Sequence, residues 1–154
     1  MITREGTVRG DGLRIAVVAA RWNELVTQPL VDGALRTLAR HGVADDDVEL
    51  VWVPGSFEIP LAARALAGSG RVRAVVALGA VIKGATDHYD FVAGQCAAGL
   101  QRAQLDTGVP CVFGVLTTDT IEQAVERAGT KAGNKGAEAA LTAIEMATLL
   151  ADLA

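Results

Sequence analysis

Four short apolar runs, each followed by a segment of helical character, constrain the fold of this 154-residue chain. The runs occupy residues 13–20, 48–53, 73–78 and 111–116. Such runs are typical of strands buried on both faces of a parallel sheet. Strands that alternate with helices imply right-handed crossovers. The pattern therefore predicts an α/β fold, a three-layer αβα sandwich around a four-stranded parallel sheet. The spacing does not give the strand order, although a flavodoxin-like arrangement fits the length.

The segments between the runs predict the helices of the sandwich. Apolar residues spaced for one helical face run from about residue 23 to 41, and Gly42 ends the pattern. Further helices are predicted near residues 57–67, 87–105 and 120–128, and a last one after Gly136. With 51% hydrophobic residues, residues 1–154 are expected to form a single domain with its own core.

Residues 1–12 precede the first predicted strand and are expected to form an N-terminal arm. Residues 2–9 alternate in part between polar and apolar side chains. The arm either frays or adds to the sheet edge of a neighbouring subunit. We favour the second outcome, because the four apolar runs already account for the strands of the chain's own sheet.

Charge and cysteine content exclude several classes of protein. The formal net charge is -4 and no basic run exceeds two residues, which argues against nucleic-acid and membrane-surface partners. Cys96 and Cys111 have no cysteine–histidine cluster near them, so we expect buried thiols and no metal site.

No apolar run approaches the ~20 residues of a membrane span, and a cytoplasmic location is the default expectation.

The segment 79–91 is the first candidate for a reaction centre. Gly79 and Gly84 are expected to bracket the end of the third strand, and Thr86 to cap the next helix. His88 would then lie in the first helical turn, where free N–H groups can hold an anion. Ligands of open α/β sheets bind at this end of the strands. The alternative is that Thr86 is only a cap and His88 an ordinary surface residue.

Aromatic residues are only 4% of the chain, yet most of them follow predicted strands or lie within the fourth one. A flat ligand stacked on an aromatic ring would account for this placement. Core packing is the simpler interpretation of each phenylalanine, whereas Trp22 lies in a loop where burial is not required. The residues are Trp22, Phe57, Tyr89, Phe91 and Phe113.

Charged residues near the predicted strand ends have two interpretations each. Glu58 either stabilises the first turn of a helix or accepts hydrogen bonds from ligand hydroxyls. Arg127, Lys131 and Lys135 either complement a helix dipole or bind a phosphate, for which the planar fork of arginine is well suited. No dinucleotide-binding or phosphate-binding glycine motif and no hydrolase nucleophile motif occurs in the chain.

Five ordered blocks resemble the signature blocks of the lumazine synthase family. They are RWN at residues 21–23, VPGSFEIP at 53–60, LGAVIKGATDHY at 78–89, GVLTTD at 114–119 and ERAGTKAGNKG at 126–136. The likeness covers nearly the whole chain. Two positions vary within the pattern: Trp22 stands where phenylalanine is frequent in the family, and Lys83 where arginine is common.

The resemblance implies a transferase of riboflavin biosynthesis that needs no metal and no organic cofactor. In the family, 5-amino-6-(D-ribitylamino)uracil condenses with 3,4-dihydroxy-2-butanone 4-phosphate to give 6,7-dimethyl-8-ribityllumazine, phosphate and water. His88 would be the proton-transfer residue. The resemblance assigns the uracil substrate to Trp22, Ser56, Phe57, Glu58, Ala80, Val81, Ile82 and Phe113, and the butanone phosphate to Ala85, Thr86, Arg127 and Lys135.

The resemblance also implies a homo-oligomer. Family members form pentamers with sites shared between subunits, and many build icosahedral shells of twelve pentamers that can include riboflavin synthase as a partner. We therefore expect Phe113, Arg127 and Lys135 to face Trp22 and His88 of an adjacent chain. Two other functions stay open: an archaeal-type riboflavin synthase of similar fold, and a flavin-binding or cargo-holding shell without catalysis.

Overall fold

The computed structural model describes residues 1–154 and places four parallel strands in one sheet. The strands are β1 (Ile15–Ala20), β2 (Val48–Val53), β3 (Ala74–Ile82) and β4 (Cys111–Thr118), in the spatial order β2-β1-β3-β4. All three strand pairs are parallel, so the predicted four-stranded sheet and its flavodoxin-like arrangement are confirmed.

Five helices and a small hairpin connect the strands. The helices are α1 (Glu24–Arg40), α2 (Ile59–Ala67), α3 (His88–Thr107), α4 (Ile121–Glu126) and α5 (Lys135–Leu153). The antiparallel hairpin of β5 (Ala128–Thr130) and β6 (Gly133–Asn134) lies between α4 and α5 in the chain. A bilayer crossing would require a longer or more apolar helix than any of these five.

The central strands bury side chains on both faces of the sheet. In β1, Ile15 and Val17 pack on one side in a core shared with α1 and α5. Ala16 and Val18 alternate with them and pack on the other side against α2 and α3. All four residues are fully buried, which explains why the sequence of β1 is apolar without interruption. The predicted three-layer sandwich is confirmed.

Strand β3 continues past the residues that the sequence predicts. Gly79 lies inside the strand, where it pairs with Val115 of β4, and not at its end. A Cβ at residue 79 would lie 2.6 Å from Ser56 Oγ, so the glycine is required by a close neighbour and not by a turn. Pairing with β4 extends to Ile82, beyond the last residue of β3 that pairs with β1, Leu78. Residues 80–82 therefore form an extended segment past the end of β1.

The first nine residues have no regular secondary structure and lie along α5 of the same chain. Arg4 Nη1 donates to the backbone oxygen of Asp152 at 2.6 Å and lies 3.1 Å from its carboxylate. The Thr7 N–H donates to Thr148 Oγ1 at 2.8 Å, and Thr148 Oγ1 lies 3.1 Å from the Thr7 carbonyl oxygen. These contacts are exposed, and the expected addition to a neighbouring sheet stays a prediction.

Candidate active site

A cavity of about 400 Å³ opens at the carboxyl ends of β1, β2 and β3. Its volume lies within the range of small-molecule sites, and its position is the one at which open α/β sheets bind ligands. The lining comes from the segments after β1 and β2, the end of β3 and the first turns of α3. The lining residues are Trp22, Asn23, Ser56, Phe57, Glu58, Ala80, Val81, Ile82, His88, Phe91 and Val92.

Trp22 forms one wall of this cavity. The Arg21 N–H donates to the Val53 carbonyl oxygen at 2.8 Å and the Trp22 N–H to that of Pro54 at 3.0 Å, which extends the β1–β2 pairing past β1. The indole lies against Gly55, where any Cβ would overlap the ring. Since 64% of Trp22 is exposed, the other face of the ring is open to a flat ligand.

A 3-10 turn over Ser56–Glu58 supplies the side chains that follow β2. Ser56 is buried and its Oγ lies beside Gly79 of β3. Glu58 Oε2 is shielded from solvent yet accepts no hydrogen bond. A buried polar atom without a hydrogen-bond partner costs about 1–3 kcal/mol, and more if the group is charged. Such an oxygen in a cavity wall is well placed to accept a hydrogen bond from a ligand.

The end of β3 contributes a further part of the cavity lining. Ala80 and Val81 are buried, and Ile82 is half-buried. The Ala80 carbonyl oxygen accepts a hydrogen bond of 2.8 Å from Asn23 Nδ2. Extended backbone at this position offers N–H and C=O groups to the edge of a planar ligand.

The loop between β3 and α3 differs from the sequence prediction in one respect. Helix α3 begins at His88 with Asp87 at its N-cap, and no side chain caps it. The predicted cap by Thr86 is therefore wrong, because the helix starts one residue too late for the Thr86 hydroxyl to serve its first turn. Ala85, Thr86 and His88 are all exposed, and His88 contributes to the cavity wall. The hydroxyl and the first N–H groups of α3 remain available to an anion.

Phe113, Arg127 and Lys135 lie elsewhere on the chain. They line a second cavity of about 420 Å³ along β4 and the start of α5, together with Thr118 and Glu138. Arg127 Nη1 donates to the Gln123 carbonyl oxygen at 2.9 Å and lies 3.8 Å from the Glu126 carboxylate. The two cavities share no lining residue, so the predicted site residues of one chain divide between two surfaces.

Apolar side chains are unusually exposed around the first cavity. Phe57, Leu61 and Phe91 are 57%, 80% and 68% exposed, so the core-packing interpretation of Phe57 and Phe91 is wrong. Phe113 does pack against the core beneath α3 and is half-buried. Exposed apolar side chains of this size near a cavity are typical of an interaction site.

The family model for 6,7-dimethyl-8-ribityllumazine synthase matches residues 12–151 of the chain. The chain belongs to this family. Membership implies lumazine synthase activity, a transferase reaction of riboflavin biosynthesis. The match extends over all four strands of the sheet and over both cavities.

Sequence reasoning missed three residues of this lumazine synthase-family cavity, Asn23, Phe91 and Val92. The sequence allows Phe91 to stack on a flat ligand but favours core packing for it, although Phe91 follows His88 by three positions and such residues share a helix face. For Asn23 the sequence indicates the start of a helix and a place in the RWN block, but no contact with a cavity. Its signal was its place between a strand and a helix, where asparagine tolerates a left-handed backbone.

The two cysteines lie away from both cavities of this family member. Cys96 and Cys111 are buried and unpaired, as the sequence predicts. Burial raises the pKa of Cys96 to about 12 and the pKa of Cys111 to about 11, because the charged thiolate is poorly solvated inside the protein.

Proposed function

We propose that the protein condenses 5-amino-6-(D-ribitylamino)uracil with 3,4-dihydroxy-2-butanone 4-phosphate to 6,7-dimethyl-8-ribityllumazine, with release of phosphate and water. The observation that most supports this reaction is the first cavity, where an exposed indole face, a buried carboxylate oxygen without a donor and extended β3 backbone meet. A planar heterocycle with a polyhydroxy chain offers each of them a complementary group.

The uracil substrate occupies the first cavity in this proposal. Its ring stacks on Trp22 and its edge meets the backbone of residues 80–82. The ribityl hydroxyls donate to Glu58, whose Oε2 has no donor in the free chain. Ser56 and Phe57 complete this side of the cavity, and Phe113 of another copy closes it.

The butanone phosphate lies at the start of α3. The free Thr86 hydroxyl and the N–H groups around Ala85 and the first turn of α3 receive the phosphate oxygens. Arg127 and Lys135 of another copy add positive charge, because both side chains lie on the separate β4 surface.

In this reaction the protein needs only to orient the substrates, transfer protons and stabilise the leaving phosphate. The amine at C5 of the uracil attacks the ketone carbon, and loss of water gives a Schiff base. Elimination then expels phosphate, and attack by the second amine closes the ring with loss of water. The nucleophiles belong to the substrate, so the protein orients the two molecules, moves protons through His88 and stabilises the departing phosphate.

The proposed assembly is a pentamer whose subunits share sites, with twelve pentamers forming an icosahedral shell. Two observations support sharing: the predicted residues divide between two cavities on one chain, and Phe57, Leu61 and Phe91 expose apolar surface beside the first. A riboflavin synthase enclosed in such a shell is a further partner of this proposal. Sedimentation of the purified chain tests the assembly, and a monomer would rule out shared sites.

The reaction is tested by mixing both substrates with the protein. Lumazine fluorescence and phosphate release are both expected to rise faster than in the spontaneous reaction. Equal rates with and without protein would rule out catalysis and leave the shell without activity as the remaining function. Riboflavin formed from lumazine alone would identify the archaeal-type riboflavin synthase reaction instead.

A further inference from the structure

Asn23 has an unusual backbone between β1 and α1. It is the only residue other than glycine with a positive φ, at φ 64° and ψ 43°. The left-handed conformation costs most residues about 1–2 kcal/mol, and asparagine is among the few that adopt it. It allows the chain to pass from the strand to α1, which begins at the next residue, Glu24.

Hydrogen bonds hold Asn23 from two directions. Its carbonyl oxygen accepts from the N–H groups of Val26 and Thr27, each at 2.9 Å, and lies 3.3 Å from Thr27 Oγ1. Thr27 is completely buried, so its hydroxyl depends on a protein partner. On the other side, Asn23 Nδ2 donates to the carbonyl oxygen of Ala80 at 2.8 Å. The residue thus joins the start of α1 to the end of β3.

These bonds restrict Trp22, which directly precedes Asn23. The backbone N–H of Trp22 is bound to the Pro54 carbonyl, and its indole has Gly55 behind it. With Asn23 bound to Ala80, the backbone of Trp22 is held from both sides. Beyond the paired residues of β1 and β3, this side-chain amide is the hydrogen bond that joins the segment carrying Trp22 to residues 80–82.

We propose that Asn23 is a positioning residue that sets the separation between the Trp22 ring and the β3 backbone at residues 80–82. The claim deepens the proposed function and rests on it in one point, that the ring held between these walls is that of ribitylaminouracil. A preorganised binding site lowers the entropic cost of binding a flat ligand, because fewer groups must be ordered when the ligand binds. Asn23 then acts on binding of the uracil and not on the phosphate substrate.

The test uses three substitutions at residue 23 in a Trp52→Phe background, where Trp22 is the only tryptophan of the chain. Asn23→Asp keeps the shape and removes the amide donor. Asn23→Ala removes the donor and disfavours the left-handed backbone, while Asn23→Gly removes the donor and permits that backbone. Gln28→Ala is the control, because it removes an exposed side-chain amide on the same helix that bonds only to Asp32.

Asn23→Asp and Asn23→Ala are expected to raise the KM for 5-amino-6-(D-ribitylamino)uracil roughly tenfold, which corresponds to one lost hydrogen bond. The KM for the butanone phosphate and kcat should stay within about twofold. Asn23→Gly loses the same donor and keeps the left-handed backbone, so it should raise the KM for the uracil about as much as Asn23→Asp. Time-resolved anisotropy of Trp22 without ligand should show more rapid ring motion in the Asp and Ala variants. Gln28→Ala should match the parent in every measurement.

Two outcomes overturn the inference. Unchanged Trp22 anisotropy in all three variants means that Asn23 does not restrict the ring, and freer motion with an unchanged KM for the uracil means that the restriction is irrelevant to binding. Absence of any condensation activity in the parent would defeat the proposed function. The anisotropy would still decide whether Asn23 holds Trp22, so the two failures are distinguishable. Asn23→Gly covers the case in which the other variants fold poorly.

Discussion

The indole of Trp22 lies directly on Gly55, and the contact exists only because residue 55 has no side chain. The wall of the first cavity therefore depends on a residue that has no side chain of its own. Gly55 has an extended backbone with φ -146°, so another residue could adopt it and the restriction is one of space. An added Cβ would overlap the Trp22 indole and lie 3.2 Å from Glu58 Oε2.

Gly55→Ala is expected to displace the Trp22 ring and weaken binding of ribitylaminouracil. Small misplacements of a binding group can cost up to about 100-fold in rate, and we expect a KM increase of roughly tenfold with little loss of stability. Steady-state kinetics with the uracil varied measures the effect. Gly94→Ala is the control, since an added Cβ there meets no atom within 4 Å. A normal KM in Gly55→Ala would show that the ring position is not critical.

His88→Ala is expected to lower kcat by up to about 100-fold, at or below the lower end of the usual range for a general acid–base residue. The loss is limited because the substrates supply the nucleophiles and the condensation proceeds slowly unaided. His41→Ala serves as the control. His41 follows the C-terminus of α1, whereas the cavity residues Trp22 and Asn23 precede its N-terminus, and the His41 ring faces the Val8 carbonyl oxygen. An unchanged rate in His88→Ala would reduce that residue to a structural role.

Arg127→Ala is expected to raise the KM for the butanone phosphate roughly 10- to 100-fold, the size expected from lost hydrogen bonds to a charged group. The KM for the uracil should change little. Arg71→Ala is a suitable control, because Arg71 lies before β3 at the amino end of the sheet and forms an exposed pair with Glu49. A selective loss of uracil binding would contradict the assignment of Arg127 to the phosphate.

The cysteines are expected to react slowly with a thiol reagent in the native protein at pH 8. From pKa values of about 12 and 11, the thiolate fraction is about 1000-fold lower for Cys96 and about 100-fold lower for Cys111 than for a thiol with an ordinary pKa of 9.0. Reaction rates in buffer and in urea provide the comparison. Rapid reaction of either cysteine without urea would show that the thiol is accessible.

The same raised pKa values make stability depend on pH. Above pH 9 the unfolded chain loses thiol protons that the folded chain keeps, so the free energy of unfolding should fall as pH rises from about 9 towards 11. Urea unfolding across this range measures the slope. Cys96→Ala and Cys111→Ala should each flatten it, and an equal slope in all three chains would assign the effect to other groups.

The sequence predicted the sheet well because burial on both faces of β1 and β3 leaves an uninterrupted apolar pattern. It predicted the end of β3 poorly. A glycine such as Gly79 suggests a turn in the sequence. In the structure a side chain is excluded at residue 79 by the nearby Ser56 hydroxyl, which comes from a segment more than twenty positions away. Local patterns cannot show a contact of this kind.

The candidate site was also predictable from the sequence only in part. The residues that follow β1 and β2 and those that end β3 could be placed together, because parallel strands bring their carboxyl ends to one edge. The exposure of Phe57 and Phe91 could not be predicted, since an aromatic residue beside a strand is equally suited to the core. The role of Asn23 depends on a backbone angle and a bond to Ala80, neither of which leaves a pattern in the sequence.

The N-terminal nine residues are docked on α5 by contacts that are easily exchanged. The Arg4–Asp152 pair is exposed, and pairs of this kind contribute about 0–1 kcal/mol, while Thr7 is bound to α5 only through the Thr148 hydroxyl. Nine extended residues reach about 30 Å, roughly the length of α5. If the predicted addition to a neighbouring sheet edge occurs, that edge would compete with the chain's own helix for the same segment, and the concentration of nearby copies would decide which of the two it occupies.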